Sequence, residues 1–498
     1  MLTIKTIKRT TLLLAAGLLL GLPGLASAYI DGISGTSFQF AAREGRITTP
    51  DGGNFLFWGF ADTQGRKTVQ YPGPTLILNQ GQTVSITLTN ELKEPVSMMF
   101  PGMTVTSPTA PAFANGVISS LVPEAAPGGT QTYTFVANKA GTFFYQSGSN
   151  QAVQLRMGLF GAIIVRPTQY NTMPVNNKVP FGLYSSTNGV RLPQVRSNYN
   201  DGGIGGAAYN PSNSSDMSTV YDREILYMAS EMDPNFQHWM EFEKDKVNNP
   251  FDFSTWKANY WFINGRSAPD TMSMANSSIL PSQPYNCMPL FHPGERVLLR
   301  IINMGQELHP LHTHGNHMNV VAEDGNLLQS NGGTGAGADL SWQAFTVTMI
   351  PGKTIDATFT WTGSNLGWDI YEDTVMYRPY EFIADHMKKF TPHTSPASSG
   401  VTPTLPPQGL PVVLPGIEEI IAGGNYSGSA FLGSSQPLPP GEGGFNPFNG
   451  YFFMWHSHAE RELTNFNIFP GGFLTMAGIV PWPLSGDNLN SKDEFMMQ

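Results

Sequence analysis

Two histidine-rich segments hold the residues best suited to chemistry in this chain. One is His309-Pro310-Leu311-His312-Thr313-His314-Gly315, and the other is His456-Ser457-His458, which runs on to Pro470-Gly471-Gly472. Six of the ten histidines fall in these segments or, as His317, just beside one. Transition metals are held by several neutral imidazoles converging on one point, and His-x-His on a strand puts two of them on one face. The spacing therefore predicts a metal site of His312, His314, His456 and His458. Copper and zinc both suit such a set. His309, Glu460 and Glu462 are weaker candidates, the carboxylates as extra ligands or as a base beside a metal-bound water. Position 457 is a serine, whose hydroxyl stays protonated at neutral pH and makes a poor soft ligand.

Each candidate also has a plainer explanation. The four histidines could be hydrogen-bonded in a core without metal, although packed together unpaired they would repel when protonated and leave ring nitrogens unsatisfied. Glu460 and Glu462 could pair with Arg461 or another cation. His317 has the opposite strand parity and reads as structural. Met98, Met99 and Met103 offer thioethers that suit Cu(I), yet methionine also fills irregular gaps. Cys287 reads as a buried apolar residue.

The elements that must position these residues are strands. Charged residues are only 13% of the chain, while glycine and proline are plentiful and long helical patterns scarce, which predicts an all-β fold with many turns. Runs such as Thr83-Val84-Ser85-Ile86-Thr87-Leu88 and Arg296-Val297-Leu298-Leu299-Arg300-Ile301-Ile302 have strand character. A first domain is placed at 29–170, a linker or long loop at 171–220 and a second domain at 221–485. A Pro/Gly/Ser-rich insertion interrupts the second domain at about 364–448, and 486–498 is a C-terminal tail. With one cysteine there is no internal disulfide framework, so the cores must hold the fold.

Residues 1–28 read as a secretory signal peptide: Lys5, Lys8 and Arg9, then a short apolar stretch, then Ala26-Ser27-Ala28. That predicts a mature chain in the periplasm or outside the cell. Removing the leader takes the formal charge from −10 to −13, which argues against a nucleic-acid partner. No other stretch approaches the roughly 20 apolar residues of a membrane span.

In the order of its motifs the chain resembles the multicopper oxidase family, built from cupredoxin-like Greek-key β-sandwich domains. Gly73-Pro74-Thr75-Leu76 with Gly81-Gln82-Thr83-Val84 is similar to the family's paired strands of the first domain, and Gly158 to Val165 to its closing strand. Phe262-Ile263-Asn264-Gly265-Arg266, Gly294-Glu295-Arg296-Val297, His309 to Gly315 and His456 to Gly472 are similar to phrases of the last domain. The resemblance implies a two-domain protein, a copper-dependent oxidoreductase in nominal class, and a homo-oligomer, commonly a trimer, with copper at a subunit interface. It also implies eight histidine ligands for a trinuclear site. His312, His314, His456 and His458 match four of them, whereas Met99, Pro101, Gln146 and Gly148 stand where the first domain should give the others. At the implied type 1 copper His309 remains, Ser457 replaces the cysteine, Glu462 the second histidine, and Phe473 lies in the axial region. The expectation is a degenerate copper complement: metal binding by domain two without the full four-copper reaction, or a non-catalytic structural or interaction protein on the same scaffold.

Overall fold

The computed structural model describes residues 30–168, 206–212, 216, 218–221, 223–291, 295–330, 337–361 and 451–479, with the backbone of five short strands between 381 and 446. The predicted signal peptide, the tail and most of the predicted insertion lie outside the described residues. The all-β expectation holds: the described chain is built from strands with two short helices, Gln151–Met157 and Pro234–Phe242.

Two sandwiches follow one another in sequence. The first packs a four-stranded sheet, ordered Ile33–Ser34, Gly73–Asn79, Phe160–Arg166, Gly141–Gln146, on a five-stranded one. The five-stranded sheet runs Asn54–Asp62, Ser37–Thr48, Thr83–Asn90, Thr130–Val136, Thr104–Ser107. Alternation explains the packing: Val84, Ile86 and Leu88 are fully buried while Ser85 and Thr87 between them turn to the other face and are half-buried. The second sandwich packs a seven-stranded sheet, centred on Arg223–Met232, Arg296–Asn303 and Thr354–Thr360, on a six-stranded sheet. The six-stranded sheet contains Leu474–Ile479, Tyr451–Ser457, His309–Thr313 and Thr346–Met349 as neighbours.

Strands buried along their whole length mark where the sandwiches meet. In Phe160–Arg166, Ile163 and Val165 enter the first core, while Phe160, Ala162 and Ile164 join a separate apolar cluster with Leu226, Met228, Phe262 and Ile302. Arg223–Met232 is likewise buried throughout, with Ile225, Tyr227 and Ala229 in its own core. A strand covered on both faces loses the polar alternation of an exposed one. The six-stranded sheet lies on the far side of the second core, so its outer face points away from the first sandwich.

Charges cross the junction as well. Glu224 pairs with both Arg166 and Arg300, the latter at 2.9 Å, and Arg300 approaches Asp356 at 3.5 Å. Tyr209 donates to Asp356 at 2.6 Å. Tyr209 belongs to the sequence placed as linker. The described end of that stretch, where Gly206–Ala207 pairs with Val220–Tyr221, packs into a cluster with Ala140, Leu298 and Ala322. Its hydrophobic residues are buried between the sandwiches, which its Gly/Asn/Ser-rich surroundings concealed.

Burial pushes the Glu224 carboxyl up, but the charges and hydrogen bonds of Arg166 and Arg300 outweigh it and hold it at about 2. A depressed carboxyl contributes stability that is present above its unfolded value, 4.5, and is lost as pH falls through about 2. We expect Glu224→Gln to lower unfolding free energy by ~3 kcal/mol at neutral pH, since it leaves buried guanidinium groups undercompensated. Chemical denaturation over a pH series checks this, and the gap from wild type should close towards pH 2.

Candidate metal centre

Strand parity sorts the histidines. Along His309–Thr313, burial alternates: His309, Leu311 and Thr313 point into the second sandwich, while Pro310 and His312 face outward. The neighbouring strand Tyr451–Ser457 pairs antiparallel with His312 opposite His456 and Leu311 opposite Ser457. Tyr451, Phe453 and Trp455 enter the core, and His456 takes the outer face beside His312. Beyond the strand ends, backbone bonds from His314 to the Met454 carbonyl (3.2 Å) and from His458 to the Pro310 carbonyl (2.8 Å) continue the register. Trp455 donates its indole N–H to the His314 carbonyl at 3.3 Å. Gly315 lets the chain turn: its φ is +81°, and a Cβ there would lie 2.2 Å from the Phe453 ring.

Three of the four predicted ligands converge. One nitrogen from each of His312, His314 and His456 falls within 4.8 Å of the others. The Nε2 atoms of His456 and His314 are 3.1 Å apart. Two imidazoles on one tetrahedral ion at bond lengths of 2.0–2.1 Å would sit ~3.3 Å apart, so the spacing fits a metal with little movement. The far nitrogens are already committed. His456 Nδ1 donates to the Ser457 carbonyl at 2.7 Å, and His312 Nδ1 meets the Thr346 hydroxyl at 2.7 Å. A carbonyl can only accept, which fixes the His456 tautomer and leaves Nε2 with its lone pair, the usual orientation for a metal-bound histidine. His458 stands at the mouth: its ring centroid is 4.9 Å from His312, but 55% of its side chain is exposed.

The electrostatics favour neutral rings. Burial, then the neighbouring His314, His456 and His458, push His312 down to about 4. Burial also lowers His456, against the hydrogen bond to the Ser457 carbonyl. Ligands must be deprotonated to bind, so this cluster is prepared for a cation at neutral pH.

The inward face carries a different arrangement. His309 is fully buried, with Nδ1 2.9 Å from Glu462 Oε2 and Nε2 3.0 Å from Glu231 Oε2. Phe473 stacks on its ring at 5.7 Å and 13°. Burial opposes charge on His309, but hydrogen bonds and charges of Glu231 and Glu462 raise it to about 10. Both ring nitrogens of His309 are thus engaged by carboxylates on the inward face, apart from the outward cluster of His312, His314 and His456. The cation paired with Glu462 is thus His309; Arg461 instead donates to the Ala258 carbonyl and lies over the Trp261 ring. Ser457 is buried and accepts from the Ala459 N–H at 3.1 Å. Glu460 is exposed, 3.7 Å from His458 Nδ1. His317 is exposed and packs edge-on to Phe345.

Glu231 was missed by sequence reasoning. Its signal was a carboxylate near the end of a largely apolar run, Ile225 to Met232, where an ionised group needs a buried partner. Gly305 belongs with it, because a Cβ there would lie 1.8 Å from Glu231 Oε2.

In the first sandwich, three of the four positions that lack histidine contact one another. Met99 and Gln146 exchange backbone hydrogen bonds at 2.7 and 3.1 Å, and a Cβ on Gly148 would meet the Met99 thioether at 2.9 Å. Ser97 bridges Ser120 and Ser149 at 2.9 Å each, and Ser147 donates to Gln154. Met98 is buried in the core, and Met103 packs against it.

Comparison with known proteins bears on the first sandwich most directly. A family model described as multicopper oxidase matches residues 67–170. The chain is 36% identical over 106 residues to an L-ascorbate oxidase of Cucumis sativus, covering 21% of this chain and 17% of that protein. It is 25% identical over 267 residues to copper resistance protein A of Escherichia coli, covering 52% and 38%. The aligned part spans less than half of either curated relative. Among solved structures, the multicopper oxidase mgLAC aligns over 92% of this chain and 90% of its own, at 16% identity and a TM-score of 0.48. A blue copper oxidase from Nitrosomonas europaea aligns over 89% and 85%, at 18% identity and a TM-score of 0.46.

A histidine raised from 6.5 to about 10 contributes stability that is complete below about 6.5, declines above it and is gone beyond about 10. His309→Gln should therefore cost ~3 kcal/mol at pH 6, because it leaves two buried carboxylates without their cation. Thermal unfolding of both proteins should show the difference shrinking as pH rises through 10.

Proposed function

We propose that this chain, which a multicopper oxidase family model matches over residues 67–170, is an exported member of that family that binds a single copper through its second domain. The convergence of His312, His314 and His456 carries this reading, with His458 as the fourth group at the open side. Zinc is the alternative ion, since three imidazoles with an open position suit either metal. The bound metal would supply Lewis acidity or, as copper, single-electron chemistry. The chain's own residues would present Nε2 lone pairs, fix ring orientation through Thr346 and the Ser457 carbonyl, and exclude water on the Trp455 side.

The complete four-copper reduction of oxygen does not fit these residues. A blue electron-entry copper needs a thiolate, and the former thiolate position is Ser457 beside a charged His309. Four of the eight trinuclear ligands are Met99, Pro101, Gln146 and Gly148. Two of these cannot ligate copper by a side chain, and Met99 and Gln146 offer a thioether and an amide in place of imidazoles.

A second reading is a non-catalytic interaction protein on the same scaffold. It is favoured by exposed apolar residues: Phe113, Val117, Ile118 and Leu121 in the first domain, and Trp342 and Phe345 in the second, Phe345 packing edge-on to His312 and His317. Such surfaces suit subunit contacts, including the trimer that the resemblance implies. Export rests on the leader at residues 1–28, towards the periplasm or beyond. Among the described residues no helix is long and apolar enough to cross a membrane.

Metal analysis of the full chain after copper loading and desalting separates the two readings. We expect about one Cu per chain, lost in His312→Ala and His456→Ala and weakened in His458→Ala. A folded chain that retains no copper or zinc would leave the interaction reading. The copper-loaded chain is also expected to lack the intense blue band of copper–thiolate bonding in its visible spectrum.

A further inference from the structure

The bridge Glu231–His309–Glu462 sits where the resemblance expected a copper, and it touches the segment that carries the one exposed imidazole of the metal centre. His458 lies past the end of strand Tyr451–Ser457, so sheet hydrogen bonding no longer holds it on both sides. Among the described residues its ring makes no hydrogen bond, only the 3.7 Å approach to exposed Glu460. Its backbone is tied on one side by its N–H to the Pro310 carbonyl at 2.8 Å, and on the other side it is held through the chain that follows. That chain makes a tight turn, Glu460–Leu463, whose backbone bonds run from Glu462 N–H to the Ala459 carbonyl (2.8 Å) and from Phe473 N–H to the Glu462 carbonyl (2.7 Å). The Glu462 side chain leaves this turn for the interior and ends on His309, at the start of the strand that carries His312. On the other side of the ring, His309 reaches Glu231, in the opposite sheet of the sandwich.

Glu231 is itself fixed. Its carboxylate accepts from the backbone N–H groups of Gln306 and Glu307 and presses against Gly305, where no side chain fits. The bridge therefore runs from a rigid strand, through a fully buried ring stacked on Phe473, to the turn behind His458. A carboxylate–imidazolium–carboxylate chain in the interior is directional and strong, because each contact is a charge-assisted hydrogen bond in low dielectric.

We propose that Glu231, His309 and Glu462 are positioning residues for the metal centre, holding the turn that presents His458 to the site formed by His312, His314 and His456. The proposal rests on the metal-binding reading above. In this arrangement a charged bridge between protein groups does the aligning that a metal at the same place would otherwise do, and the centre keeps its fourth imidazole without a second ion.

The test is a double-mutant cycle on Cu(II) affinity of the full chain, measured by competition with a chromophoric chelator. His309→Gln and Glu462→Ala should each weaken binding ~10-fold, as loss of an outer-shell support does. Combining either with His458→Ala should add nothing to the effect of His458→Ala alone. Glu462→Gln, which can still accept from His309, should keep most of the affinity and covers the case in which His309→Gln fails to fold. Wild-type affinity in Glu462→Ala, or multiplicative losses in the double variants, would overturn the proposal. A wild-type chain that takes no copper would instead sink the metal-binding reading. The bridge is then judged in the metal-free protein with ring-labelled histidine: the His458 resonances should shift in Glu462→Ala, and unmoved resonances would overturn it.

Discussion

Hydrogen bonding between His309–Thr313 and Tyr451–Ser457 sets His312 opposite His456, and the pleat of the same strands then divides their side chains between two environments. Outward go His312 and His456, followed past the strand ends by His314 and His458. Inward go His309, Leu311, Trp455 and Ser457. A slip of one residue would exchange the two sets, burying the neutral cluster and exposing the charged one. The core contributed by Leu311, Phe453 and Trp455 opposes that slip, because each large buried side chain is worth ~1.5–3 kcal/mol.

The two faces follow opposite electrostatic rules. On the outer face, burial and the neighbouring imidazoles disfavour protons on His312 and His456. On the inner face one imidazole lies between two carboxylates, so the proton is retained and the lone pair is lost. His309 and His312 are three residues apart on one strand, yet one is raised to about 10 and the other lowered to about 4. Residue type alone could not have separated them; the partners did.

Much of this was legible in the sequence. The alternation of Val84, Ile86 and Leu88 with serine and threonine, and the spacing of His-x-His, specify strand and face directly. The replacements Ser457, Met99 and Gln146 were visible because the flanking motifs fix where a ligand should be. What sequence could not give were partners from distant strands. Glu231 and Glu462 are 231 residues apart and meet only across His309. Ala208 and Tyr209 lie in a Gly/Asn/Ser-rich stretch whose composition resembles a linker, although they fill the junction between the sandwiches. The inequality of the four histidines is a third case, since His458 differs from the others through the turn after it and not through its own spacing.

A centre made only of imidazoles and oxygen differs from a copper–thiolate centre in its nearest scatterers, and X-ray absorption at the copper edge reads them directly. The expected result on the copper-loaded full chain is one copper surrounded by three or four nitrogen or oxygen atoms at ~2.0 Å, with imidazole outer shells and no sulfur. A sulfur neighbour, a second copper close by, or copper without imidazole ligands would contradict the proposed centre.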